Sequence, residues 1–163
     1  MINIQLIRHA KSDWNYSDLI DFQRPLNHRG LNDCTYMHQE ISLRKDSIWH
    51  SSSAYRTYQT STLLAKKLDF PLNFIQFSGS LYHASQEKML EYINQIKSPS
   101  KNLILVGHNN GISDLANLLT NDYQYSLPTL GILEIEFELD SFEEISPATG
   151  IAKKFVYPKM FKD

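Results

Sequence analysis

The sequence predicts an α/β chain, a three-layer α/β/α sandwich with a mostly parallel sheet, and three observations carry that expectation. Short apolar runs alternate with segments whose apolar residues recur at helical spacing. The run NLILVG (102–107) is nearly all apolar, as expected of a strand covered on both faces. Strands alternating with helices imply right-handed crossovers, hence parallel neighbours with helices above and below. With 163 residues, 42% hydrophobic and 21% charged, the chain suits one soluble domain spanning residues 1–163.

The elements follow in order. Residues 2–7 (INIQLI) form a first strand. Residues 11–30 (KSDWNYSDLIDFQRPLNHRG) are polar and contain Pro25 and Gly30, so they read as a long loop, and such loops are usually functional. Leu31, Cys34, Met37 and Ile41 then recur at helix spacing. A short strand near 47–50 runs into SSSAYR and a helix over 55–68, with Pro71 as its stop signal. Residues 73–77 read as a strand, and 86–96 as a helix with Met89, Leu90, Ile93 and Ile96 on one face. After the strand at 102–106, Ile112, Leu115, Ala116 and Leu119 give the next helix an apolar stripe. ILEIEFEL (132–139) alternates apolar and acidic residues, which suits a strand at the sheet edge with one wet face; residues 151–157 offer one more.

The 16 Lys and Arg against 18 Asp and Glu leave a formal charge of −2, so no broad basic field points to nucleic acid. The single cysteine, Cys34, allows no internal disulfide and no Cys-based zinc spacing. Its helix-spaced apolar neighbours make it a buried structural thiol rather than a nucleophile. No charged start leads into a long apolar core and no run is long enough to span a bilayer, so no membrane partner and a cytoplasmic residence are expected.

Ligands of parallel α/β sheets bind at the C-terminal ends of strands, so the residues at those ends decide the chemistry. Arg8 and His9 follow the first strand; Ser51 to Ser53, then Arg56 at a helix opening, follow the second; Gly107, His108 and Asn109 follow the buried strand. A guanidinium fork complements phosphate oxygens bidentately, and an imidazole nitrogen can attack phosphorus. Helix N-termini add free N–H groups and a partial positive charge. The set reads as a site for a tetrahedral anion such as phosphate or sulfate.

The stretches LIRHAKSDW (6–14), DFQRPLNHRG (21–30), SSSAYRTYQT (51–60), LYHAS (81–85), LVGHNNGISDLAN (105–117), PTLGILEIEFE (128–138) and FVYPKMF (155–161) resemble, in this order, the histidine phosphatase superfamily, and within it the small SixA-like phosphohistidine phosphatases. The resemblance implies a phosphoglycerate mutase-like fold. It implies that His9 is the nucleophile that becomes phosphorylated, and that Arg8, Arg56 and His108 bind and neutralise the phosphoryl oxygens. Arg24, Ser12, Asn15 and Asn109 are further candidates for the pocket wall. Such a site fits phosphoryl transfer, which needs in-line positioning and charge neutralisation. His9 must be neutral to attack; nearby Arg charges push its pKa down, and its other ring nitrogen is expected to donate to a backbone carbonyl of the polar loop. Two positions depart from the family, which often has Pro where this chain has Ser53 and Asn110; Ser53 loosens the turn before Arg56, and Asn110 is expected to cap the following helix.

Mutase-like and sugar-phosphatase-like members carry a carboxylic acid that protonates the leaving oxygen. LYHASQEKM places no such acid, although Glu87 and His83 are candidates beside their reading as solvated residues. A missing acid favours a P–N substrate, because imidazole needs less help to leave than an alkoxide. The expected substrate is therefore phosphohistidine on a protein, with a small-molecule phosphomonoester as the alternative and a non-catalytic phosphate-binding module as the reading from another class. Trp14, Tyr16 and Phe22 either line the mouth of a shallow pocket or pack the loop onto the body.

No metal or other cofactor is expected. Six histidines are available, but His9 and His108 flanked by Arg would set cations beside a cation, and His28, His38, His50 and His83 are scattered. Turnover is expected to survive chelation; loss with EDTA and recovery with added metal would refute this.

Overall fold

The computed structural model describes residues 1–162. Strands β1 (Ile2–Arg8), β2 (Ile48–Ser52), β3 (Ile75–Ser78), β4 (Asn102–Gly107), β5 (Ile132–Phe137) and β6 (Gly150–Val156) form one sheet in the order β3-β2-β4-β1-β5-β6. The first four run parallel; β5 is antiparallel to β1, and β6, antiparallel to β5, runs in the same direction as the first four. Helices α1 (His28–Met37), α2 (Tyr55–Lys67), α3 (Gln86–Asn94) and α4 (Gly111–Thr120) cover the two faces. This is the three-layer α/β/α sandwich expected from the alternation of periods.

Strand residues alternate between two cores. Leu6, Leu105, Leu133 and Ile135 pack with α3 and α4 through Met89, Ile93, Ile112 and Leu115. Ile7, Ile104, Val106 and Trp49 pack with α1 and α2 through Cys34, Met37, Leu64 and Ala65. Burying such an aliphatic side chain contributes about 1.5–3 kcal/mol. Cys34 sits in the second core, where burial, with Asp33 beside it, pushes its thiol up to about 12, so it is structural.

Three expectations are corrected. β5 is not an edge strand: it pairs β1 on one side and β6 on the other. Its acidic residues meet partners instead of water; Glu134 is buried and accepts from Asn3 Nδ2 at 2.8 Å and Ser42 Oγ at 3.2 Å, and Glu136 pairs Lys153 at 3.5 Å. The long loop ends before Gly30, because Asn27 caps α1 by accepting from the Gly30 N–H at 2.8 Å. Asn110 stands at the cap position of α4 but its side chain makes no capping hydrogen bond.

Two glycines fix how α1 and α4 meet the loops that carry the site. A Cβ on Gly30 would lie 2.2 Å from the Lys11 carbonyl oxygen, and one on Gly111 would lie 2.0 Å from that of Ala84. Backbone cannot yield as a flexible side chain does. Gly30→Ala and Gly111→Ala are each expected to cost about 1–3 kcal/mol or more in chemical denaturation, and to lower activity by displacing the loops. Wild-type stability in both would contradict these close approaches.

Candidate active site

Strand register brings the distant residues together. β1 and β4 pair in parallel with Ile7 opposite Val106 and Arg8 opposite Gly107, so both chains leave the sheet side by side. The His9 N–H donates to the Gly107 carbonyl at 3.1 Å, and the His9 and His108 rings lie 5.4 Å apart between centroids. β2 ends beside them, and His108 Nε2 is hydrogen-bonded to Ser52 Oγ at 2.8 Å. α2 then starts with no side-chain cap and carries Arg56 on its first turn.

His9 is 6% exposed, and its Nδ1 lies 2.7 Å from the Ala10 carbonyl oxygen. A carbonyl only accepts, so Nδ1 carries the proton and Nε2 keeps its lone pair. Burial lowers the His9 pKa to about 3, assisted by the charges of Arg56, Arg8 and Arg24 and opposed by the Ala10 hydrogen bond. His108 falls to about 2, through burial first and then through the neighbouring His9 and Arg56. The charge of the pocket therefore resides on guanidinia and both imidazoles are neutral.

The guanidinia are only partly satisfied. Arg8 donates from Nη1 to the Leu127 carbonyl at 3.0 Å; Arg56 donates from Nη1 to the Asp21 carbonyl oxygen at 2.8 Å and from Nη2 to Asp21 Oδ2 at 3.0 Å. Arg8 Nε, Arg56 Nε and His108 Nδ1 are buried and make no hydrogen bond among the described residues. Leaving a buried polar atom unpaired costs about 1–3 kcal/mol, and two of these three are guanidinium N–H donors, which the oxygens of an anion could satisfy.

Above this floor lies a rim of three groups that sequence patterning did not single out together. Asp21, on a short 3-10 turn of the long loop, receives Tyr82 Oη at 2.5 Å as well as Arg56. Burial alone would raise its pKa, but the bonds from Tyr82 and Arg56 and the Arg56 charge hold it well below the usual carboxylate range. His83, in left-handed backbone with φ 50°, stacks on Tyr82 and stands edge-on to His108 at 5.4 Å. Its Nε2 is 3.2 Å from Arg56 Nη2 and 3.3 Å from Asp21 Oδ2, so a neutral ring accepts from Arg56 and a protonated one donates to Asp21.

Arg8, His9, Arg56 and His108 are thus brought together, and Arg24 joins them as a wall. It is buried, donates to Ser12 Oγ at 2.8 Å and Asp21 Oδ1 at 3.1 Å, and lies 3.5 Å under the exposed Trp14 ring. Ser12 acts through Arg24. Asn15 is exposed, with its side chain hydrogen-bonded to none of the pocket groups, so it stands outside the wall. The Asn109 amide donates to the Leu127 carbonyl at 3.0 Å and accepts from Ser113 at 2.6 Å, which makes it a support for the segment behind Arg8. Glu87 is exposed on α3 and bonds only Gln86, so the candidate acid on that helix is set aside. Phe22 packs edge-on against Tyr82, whereas Tyr16 is exposed. Asp21 was legible only in part: the DFQR spacing puts an acid three residues before Arg24, but not over the pocket. Among the described residues no three His, Cys, Asp or Glu side chains gather as a metal site, and no helix is long and apolar enough to cross a membrane.

Known proteins resemble this chain in sequence and in fold. The family model of the histidine phosphatase superfamily (branch 1) matches residues 4–77. Over 118 residues the chain is 28% identical to a lipopolysaccharide core heptose(II)-phosphate phosphatase from Escherichia fergusonii; the match takes in 69% of this chain and 58% of that protein, less than two thirds of its length. A solved structure of the protein histidine phosphatase SixA complexed with tungstate has a TM-score of 0.81 at 15% identity, covering 99% of this chain and 100% of that one. One reported under the name phosphohistidine phosphatase SixA from Agrobacterium tumefaciens has a TM-score of 0.79 at 22% identity, covering 96% and 98%. At these identities the structural likeness is one of fold.

Neutral burial of His9 and His108 has a consequence for stability. Their folded pKa values lie below the ordinary 6.5, so the unfolded chain binds protons that the folded chain does not between the two. Stability is therefore complete above about pH 6.5 and falls as the pH drops toward 3. Thermal unfolding from pH 7 to pH 4 should show this decline, reduced in His108→Ala; a wild-type midpoint unchanged at pH 4 would show that the rings are not held neutral.

Proposed function

We propose that the chain is a member of the histidine phosphatase superfamily, whose family model matches residues 4–77, and that within it this protein is a phosphohistidine phosphatase acting through a phosphorylated His9. The observation that supports it most is the neutral, Nδ1-protonated His9 lying beneath two guanidinia and His108 with unpaired buried polar atoms. In the first step the His9 Nε2 lone pair attacks phosphorus while the P–N bond of the substrate breaks. That electron pair moves into the departing ring, which is protonated on its far nitrogen and so leaves as neutral imidazole. In the second step water attacks the phosphorus of phospho-His9, and Nε2 departs with the P–N pair to give inorganic phosphate. Arg8, Arg56 and His108 hold the equatorial oxygens throughout.

The substrate assignment rests on the rim. Asp21, Tyr82 and His83 contact Arg56 and His108, the groups assigned to the phosphoryl oxygens, so we read them as the side that a leaving group meets. Asp21 is held ionised and cannot protonate an alkoxide, but its charge favours a cationic phosphoimidazolium. The second reading, a small-molecule phosphomonoesterase, draws on the heptose-phosphate phosphatase relative. In that case His83, protonated against Asp21, would supply the proton.

Turnover of a phosphohistidine peptide should exceed that of alkyl phosphates. His9→Ala should lower it ~10³-fold or more, and Asp21→Asn should slow the peptide at least about 10-fold more than p-nitrophenyl phosphate. Unchanged hydrolysis in His9→Ala would exclude the nucleophile. Faster alkyl phosphate turnover that is lost in His83→Ala would move the assignment to the phosphomonoesterase.

A further inference from the structure

A second cleft backs onto the phosphate pocket. It has a volume of about 500 Å³, within the size range of small-molecule sites, and opens between α1, the segment after α4 and the chain following β6. The dividing wall is residues 127–131. On its inner side the Leu127 carbonyl accepts from Arg8 and Asn109, and the Leu130 N–H donates to the Arg8 and His9 carbonyls at 3.1 and 3.0 Å. On its outer side Pro128 and Thr129 line the cleft.

Among the described residues, cations outnumber anions in the cleft lining. Asp33 is buried at its base, and Lys162 at 2.7 Å and the Tyr36 hydroxyl at 2.8 Å satisfy it. Arg29 and Lys159 also line the cleft, and neither has a carboxylate within salt-bridge distance among the described residues. Among the described residues Arg29 donates a single long side-chain bond, 3.3 Å, to Thr129 Oγ1. Beside these cations stand two half-buried aromatic rings, Phe155 and Tyr157, 5.5 Å apart between centroids.

We propose that this cleft binds a small anion carrying a planar ring, the class to which nucleoside phosphates belong, with phosphate oxygens on Arg29 and Lys159 and the ring against Tyr157. Among the described residues the lining cations Arg29, Lys159 and Lys162 outnumber Asp33, which disfavours a cationic ligand, and the aromatic pair gives a ring-bearing anion an advantage over inorganic phosphate. Burial of the ring and charge-assisted bonds from the guanidinium fork act together in one small volume.

Isothermal titration with β,γ-methylene ATP, AMP, adenosine and inorganic phosphate tests it. The wild type should bind the two nucleotides more tightly than either adenosine or phosphate alone. Arg29→Ala/Lys159→Ala should weaken nucleotide binding about tenfold or more while keeping the wild-type melting temperature and its hydrolysis of p-nitrophenyl phosphate. Tyr157→Leu should weaken nucleotides more than phosphate. Nucleotide binding that is equal in wild type and double variant would place the ligand in the catalytic pocket and overturn the proposal. So would the absence of binding at millimolar nucleotide, or phosphate binding as tightly as AMP.

Discussion

The parallel pairing of β1 with β4 is the constraint on which the site depends. It sets Arg8 opposite Gly107, so that His9 and His108, ninety-nine positions apart, leave the sheet as neighbours. A slip of one residue would turn every side chain of β1 to the other face and remove His9 from His108. What prevents the slip is the alternation of Ile4 and Leu6 toward one core and Ile7 toward the other, each fully buried. The geometry of the reaction centre is thus specified by hydrophobic patterning in strands that take no part in the chemistry.

The electrostatics follow from the same burial. Crowding guanidinia around His9 would be unfavourable if the imidazoles were also charged, and low exposure removes that charge. The remaining repulsion, felt by Arg8 from Arg56, is offset by the ion pair of Arg56 with Asp21. Asp21 therefore has two effects. It steadies Arg56 in the free protein, and it sets a negative charge on the rim beside His83.

The fold was readable because both periods are strong in this chain, and the floor was readable because strand ends of a parallel sheet are where its ligands meet. What escaped was tertiary. The acidic residues of β5 look solvated by alternation alone, yet Glu134 is matched to Asn3 and Ser42 from distant segments. Gly30 looks like loop punctuation, but its lack of a side chain serves the contact with the Lys11 carbonyl. Asp21, Tyr82 and His83 come from two loops with no periodicity, and only their packing over Arg56 reveals them as one group. Asn109 looked like a ligand for the same reason that it matters: it stands beside His108, but it faces the scaffold.

The division between a floor made by strand ends and a rim made by loops has an evolutionary consequence. Floor residues are locked by register and core packing, so exchanging them sacrifices the fold or the chemistry. Rim residues stand on loops and are more exposed, the His83 side chain at 52% and that of Asp21 at 38%. Such segments can accept insertions and new side chains while turnover persists. Selectivity in this architecture can consequently drift within a lineage, and descendants that share one reaction can come to serve different phosphorylated compounds.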